Sequence, residues 1–243
     1  MREIVNLKSA IHVFFAFGMG LLFCSCDEGK IYPSENNGDG DGFTVVLSGN
    51  ITGTEGYAGT GYAPVLAVFE EGSDFAEVSK AVETGDSKVE INNVKVEEGS
   101  AELCVINTLR KRVLTLASVD ISKSSAENGG VVRFEVGDVN VSPFESISSR
   151  IFSTTCIQCH GGTSHSAAGL NLSREQAYSM LVNVPSAVEE GMFRVKPEEL
   201  TKSTLWEAVA TDASAHWSFN HSNLLTVEES GFISNWIEKG AEK

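Results

Sequence analysis

The sequence is poor in positive charge. Its 243 residues include 18 Lys and Arg against 33 Asp and Glu, so the formal net charge is −15. The few basic residues form no extended cluster, and proteins bind the phosphates of nucleic acids through such clusters. The composition therefore argues against a nucleic-acid partner, and a solvated acidic surface accounts for the charge.

The sequence also has few of the patterns that usually carry catalysis. No arrangement of Ser, His and Asp resembles a catalytic triad, and the acidic residues form no evident pair for acid–base chemistry. Histidine and methionine are scarce, with five and four residues, and no Met follows Met192. We therefore expect a carrier or a binding protein rather than an enzyme.

The sequence lacks a long hydrophobic run. The apolar stretch from Ile11 to Phe23 is shorter than the roughly 20 residues of a membrane-spanning helix. Arg2 and Lys8 precede it, and a basic start followed by a short apolar run is typical of a secretory signal peptide. The run ends in FCSCDE, where Cys26 and the small residue before it resemble the lipobox of bacterial lipoproteins.

The resemblance to a lipoprotein implies where the mature protein resides. Residues 1–25 would be removed, and Cys26 would carry the lipid. The protein would then be anchored to the outer membrane in the cell envelope, in the periplasm or exposed at the surface. Residues 26–42 are polar, acidic and rich in Gly, which predicts a flexible linker.

Residues 43–141 have the pattern of an all-β domain. Short runs of β-branched and aromatic residues recur, several alternate apolar with polar residues, and clusters of Gly, Asn, Asp and Ser separate them. Such spacing predicts an Ig-like β-sandwich. The seven runs are FTVVLSGNIT, YAPVLAVFE, FAEVSKAVE, KVEINNVKV, AELCVINT, KRVLTLASV and VVRFEVGDVNV.

Residues 142–243 change to a helical period. Ser142 followed by Pro143 is typical of a helix start, and a capping box is predicted at Ser173 and again at Thr226. A shorter helix is predicted over residues 203–210. The pattern predicts a small all-α domain that follows the sandwich.

The stretch CIQCH, which ends the first predicted helix, carries the clearest chemistry. Cys156 and Cys159 are spaced so that their thiols can add to the two vinyl groups of a haem, and His160 then ligates the iron. An unprotected pair of cysteines would tend to oxidise after export, and attachment to haem removes that problem. The motif predicts one covalently bound haem c.

Four stretches around this motif resemble the cytochrome c-like domains of exported bacterial proteins, including planctomycete cytochrome c-type modules. They occur in the family's order as IFSTTCIQCHGG, AGLNLSREQAYSMLVNV, RVKPEELTKSTLWEAV and LTVEESGFISNWIEKGA. The resemblance covers residues 147–243 and implies a helical haem domain that transfers electrons. It also implies that Arg194 lies near the haem edge as a partner for a propionate, although a solvated surface position is an equal alternative.

The sixth iron ligand departs from this family. Its members usually carry Met–Pro shortly before the last helix, close to Ser218 here, but SAHWSFNHSNLLT contains no Met. His216 and His221 are present instead. We therefore predict an iron held by two imidazoles, with His160 on one side and His216 as the first candidate opposite, His221 being the second. His165 is too near His160 to reach the other side.

Two sets of alternatives remain open. Cys156, Cys159, His216 and His221 also have the composition of a tetrahedral zinc site, which would leave His160 without a role. The favoured function is a membrane-anchored c-type cytochrome lipoprotein that exchanges electrons with a redox partner still to be identified. The alternative is a surface lipoprotein that binds glycan or protein and carries an accessory haem or zinc domain. A haem enzyme or sensor would need an open position on the iron.

Overall fold

The computed structural model describes residues 42–122, 130–162, 166–210 and 219–243. These residues belong to one compact unit, Gly40–Lys243. The predicted signal peptide, the predicted lipidation site Cys26, nearly all of the predicted linker, His165 and His216 lie outside the described residues. Among the residues that are described, no helix has the length and apolar character needed to cross a membrane.

Seven strands form two sheets that share a core. The sheet orders are β4-β1-β7 and β3-β2-β5-β6, and neighbouring strands are antiparallel except for the parallel pair β1 and β7. Each strand overlaps one of the seven predicted runs, so the predicted sandwich architecture is confirmed. They are β1 (Phe43–Thr52), β2 (Tyr62–Glu70), β3 (Val78–Ala81), β4 (Gly85–Val94), β5 (Gly99–Asn107), β6 (Arg112–Ile121) and β7 (Val131–Asn140).

The alternation of side chains along the strands builds the core of the sandwich. On β1, Leu47 and Ile51 are fully buried, and they join Leu66 of β2 and Leu103 of β5 in the main apolar cluster. Residues on the opposite face of β2 and β5, among them Cys104, form a second, smaller cluster. Cys104 is therefore a buried apolar residue, as its isolated position in the sequence predicts.

Four helices follow the strands. Helix α1 runs without interruption through Pro143–Ile147, Ser148–Cys156 and Ile157–His160; α2 covers Ala177–Leu181, α3 Thr204–Ala210 and α4 Val227–Glu238. The predicted starts of α1 and α4 are confirmed, and the capping box between Thr226 and Glu229 is formed. Helix α2 begins later than predicted, because residues 173–176 form a turn.

The predicted fold class, an Ig-like sandwich followed by a separate all-α cytochrome c-like domain, is wrong. The described part of the chain is mostly strand, and its helices share the core of the sandwich instead of enclosing their own. Phe144 of α1 and Trp236 of α4 belong to the same apolar cluster as Leu47 and Leu66 of the strands. The physical reason is size, because helices of five and seven residues such as α2 and α3 have too little apolar surface to close a core.

Helix α4 makes direct contacts with the sandwich. The ring of Phe232 lies 6.0 Å from that of Tyr57 and 5.0 Å from that of Tyr62, measured between centroids. One turn further, the Asn235 side-chain amide donates to the carbonyl of Thr60 over 3.2 Å. These contacts fix the C-terminal helix against the segment that connects β1 with β2.

Candidate functional site

The CIQCH motif lies at the end of α1, as predicted. Residues Ser148–Cys156 have π-helical hydrogen bonding, and Ile157–His160 returns to the α-helical pattern. Wide turns of this kind are rare in proteins and are often found at functional sites. The helix stops at Gly161, where a Cβ atom would clash with Ile157. A glycine is therefore required directly after His160.

The two cysteines of the motif differ in their surroundings. Cys156 is half-buried against the shared core, whereas Cys159 is exposed, and neither forms a disulfide. Burial, followed by the neighbouring Cys159 and Glu229, raises the pKa of the Cys156 thiol to about 11. The thiol is therefore protonated near neutral pH.

The ring of His160 is held by the loop that follows α1. Its Nδ1 lies 3.1 Å from the carbonyl oxygen of Ala167, and its own carbonyl accepts a 2.6 Å hydrogen bond from the backbone of Leu172. A ring that donates through Nδ1 has Nε2 as the atom available to bind a metal. Metal-ligating histidines typically make this type of hydrogen bond, which fixes the tautomer and the orientation of the ring.

His221 lies beside His160. The centroids of the two rings are 6.3 Å apart, and their planes differ by 29°. One metal ion held between two imidazoles needs metal–nitrogen bonds of about 2 Å, and with roughly 1 Å from each nitrogen to its ring centre the centroids would be about 6 Å apart. The observed centroid separation is close to this value, and the two ring planes are stacked.

The surroundings of His221 favour its neutral form. Burial, and then the nearby His160, lower the pKa of His221, while a hydrogen bond with the backbone of Phe219 acts in the opposite direction. The exposed ring of Phe219 also meets His221 edge to face, with centroids 5.2 Å apart. A neutral imidazole is the form that binds metals.

Arg194 has a structural contact. Its Nη1 donates to the carbonyl oxygen of Met180 over 2.9 Å, and its backbone pairs with Val184 and Leu205. Arg194 therefore connects the end of α2 with the start of α3. The contact with Met180 uses only one nitrogen of the guanidinium, so other N–H donors remain that could bind a haem propionate. That role stays a prediction.

The described residues give no support to the four-ligand zinc site. Among residues 42–122, 130–162, 166–210 and 219–243, no group of three or more His, Cys, Asp and Glu side chains is placed to hold a metal ion. His216, one of the four proposed zinc ligands and the first candidate for the sixth iron ligand, lies outside this part of the chain. Of the two candidates, only His221 can be compared with His160.

Two groups at the site escaped the sequence analysis. The contact between His160 and the carbonyl of Ala167 could not be predicted from residue types, because every residue has a backbone carbonyl. Only the folded loop shows which carbonyl lies near the ring. Phe219 stands two residues before His221 in the sequence and packs on its ring. An aromatic residue close to a candidate ligand is the one signal that could have indicated its role.

Comparison with known proteins adds no relative. The chain matches no protein-family model, no curated protein and no solved structure.

Proposed function

We propose that this protein is an exported, lipid-anchored electron carrier with one haem c. In this proposal Cys156 and Cys159 hold the haem through thioether bonds, and His160 and His221 bind the iron from opposite sides. Cys26 carries the lipid that anchors the chain to the outer membrane. The haem, when bound, would supply an iron that accepts and donates one electron. The redox partner is a second protein.

The observation that carries the proposal is the pairing of His160 with His221. Two residues that are 61 positions apart in the sequence (221 − 160) bring their rings to a centroid separation of 6.3 Å. The cysteine pair lies directly before His160 on the same helix. The hydrogen bond from Nδ1 to Ala167 leaves Nε2 of His160 for the iron. For these reasons His221 replaces His216 as the favoured sixth ligand.

The proposed ligands also specify the kind of chemistry. With imidazoles on both sides, the iron has no open position for a substrate, so electron transfer is favoured over catalysis. Two imidazoles give a lower reduction potential than a histidine and a methionine would. The haem would be seated on a helix that packs against the sandwich, since the described part of the chain forms one compact unit.

The test is expression together with a c-type cytochrome maturation system. We expect one haem per chain that resists acid–acetone extraction, and we expect C156S and C159S each to lose a thioether bond. The control is C104A, because Cys104 is buried in the smaller cluster of the sandwich, and it should keep the full haem content. Absence of covalent haem in the wild type, or stoichiometric zinc in its place, would contradict the proposal.

The same preparation tests the sixth ligand. The ferric spectrum of the wild type at neutral pH should be low-spin, and H221A should convert it to high-spin because one axial ligand is lost. The matched variant is H216A, which should remain low-spin. A high-spin wild type, or a change of spin state in H216A but not in H221A, would show that the ligand assignment is incorrect.

A further inference from the structure

Three exposed apolar residues lie next to the two partners of one ion pair that joins the sandwich to α4. The ammonium of Lys111 lies 2.7 Å from the carboxylate of Glu228. Leu109 stands two residues before Lys111 and is 71% exposed, and Val227 directly precedes Glu228 and is 82% exposed. Phe75, 51% exposed, pairs with Lys111 through an isolated β-bridge. We call Phe75, Leu109 and Val227 the apolar patch.

The loop that carries Phe75 connects the apolar patch with an acidic cleft. The same loop lines this cleft, which has five carboxylates and one guanidinium, that of Arg112. Arg112 is engaged by Glu102 and Asp74. The nearby Arg110 donates to the carbonyls of Ala76 and Glu77, and Lys111 is paired. The five carboxylates are those of Glu70, Glu71, Asp74, Glu98 and Asp120.

The apolar patch is also close to the proposed haem ligand along the chain. Val227 begins α4, and the segment before it carries His221, the short turn Ser222–Leu224 and two more exposed apolar residues, Phe219 and Leu224. Phe219 contacts the ring of His221. A protein seated on the patch would therefore contact the start of α4, which directly follows the segment that supplies the proposed sixth ligand.

We propose that the apolar patch is the docking surface for the redox partner, and that this partner is a protein with an apolar centre and a basic rim. The inference rests on the proposed function, and it assigns to the sandwich the role of binding the redox partner. Interfaces commonly combine an apolar centre with a charged rim. Opposite charge on the two rims accelerates encounter and selects the partner. Here the acidic cleft supplies the rim, so the partner's rim is basic.

The experiment uses the haem-loaded full chain and a small basic cytochrome c as the probe. The second-order rate of electron transfer is followed by stopped-flow absorbance. We expect L109S and V227S each to lower this rate about fivefold, as for residues at the centre of an interface. We also expect the wild-type rate to fall as salt is added, because the attraction between the rims is screened. The haem spectra of the variants should match that of the wild type.

The control is V131S. Val131 is 48% exposed but lies on β7, in the sheet that does not contain the β5–β6 hairpin, so its rate should equal that of the wild type. If L109S and V227S transfer electrons as fast as V131S, or if the wild-type rate rises with salt, the docking surface is not here. Lack of haem in the wild type would instead overturn the proposed function, and the absorbance spectrum distinguishes the two failures.

Discussion

At the scale of single residues, Tyr57 shows how the sandwich and the helices depend on one another. Its hydroxyl donates to the carbonyl of Val141 over 2.7 Å and lies 3.2 Å from the hydroxyl of Ser146. The residue is buried, and burial raises the pKa of its phenol. We predict that Y57F lowers the free energy of unfolding by about 1 kcal/mol, since a buried hydrogen bond is lost while the ring stays.

The matched control for Y57F is Y62F. Tyr62 also packs on Phe232, with a tilted ring, but within the described residues its hydroxyl makes no hydrogen bond, so the change should stay within about 0.5 kcal/mol. Urea unfolding of both variants measures the difference. Equal losses in the two variants would show that ring packing alone, rather than the hydrogen bond, stabilises this contact.

At the scale of elements, the ion pair between Lys111 and Glu228 joins the β5–β6 hairpin to α4. The hydrogen bond from Lys111 lowers the pKa of the Glu228 carboxyl, and the same bond raises the pKa of the Lys111 ammonium. The lowered carboxyl pKa gives stability that is complete above its unfolded-state value and is lost as pH falls through the folded value. The raised ammonium pKa gives stability that is complete below its unfolded-state value and is lost at alkaline pH.

We therefore predict that the coupling between the two side chains is favourable near neutral pH and weakens in acid. A double-mutant cycle of K111Q, E228Q and the double variant measures this coupling by urea unfolding. The cycle also cancels any separate effect of Glu228 on the first turn of α4. The coupling should be smaller at about pH 3 than at neutral pH, because the Glu228 carboxyl is progressively protonated as pH falls through its lowered pKa. A coupling that is equal at both pH values would contradict the prediction.

The elements themselves were largely predictable from the sequence, because their signals are local. Short runs of β-branched and aromatic residues separated by turn residues located the seven strands, and the capping box at Thr226 and Glu229 located α4. What the sequence could not reveal is which surface each apolar helix face covers. The spacing of Phe232 and Trp236 along α4 would be the same whether this face of the helix packed on other helices or on a sheet. The predicted separate helical domain failed on this point.

The site was predictable only in part, for a similar reason. Cys156, Cys159 and His160 are neighbours in the sequence, so their spacing alone indicates haem attachment. The choice between His216 and His221 depends on which of the two rings the folded chain brings close to His160. The order of residues in the sequence does not specify this. The ring separation between His160 and His221 becomes available only with the fold.

At the scale of the whole molecule, the shared core has a consequence for unfolding. All three Trp residues, at positions 206, 217 and 236, follow the last strand. Trp236 of α4 lies in the same apolar cluster as Leu47 of β1 and Leu103 of β5. Tryptophan fluorescence therefore reports on the part of the chain that follows the strands, and the backbone amide NMR resonances of β1–β7 report on the sheets.

We predict that haem-free protein, produced without the maturation system, unfolds in urea with the same midpoint by both signals. A single core cannot lose its helices while the sheets remain packed, because Phe232 and Trp236 would be withdrawn from the interior of the sandwich. The variant F232A should move both midpoints down together, since removing a buried aromatic ring costs about 3–5 kcal/mol. Two separated transitions, or an F232A variant that shifts only the fluorescence midpoint, would mean that the helices form a unit independent of the strands.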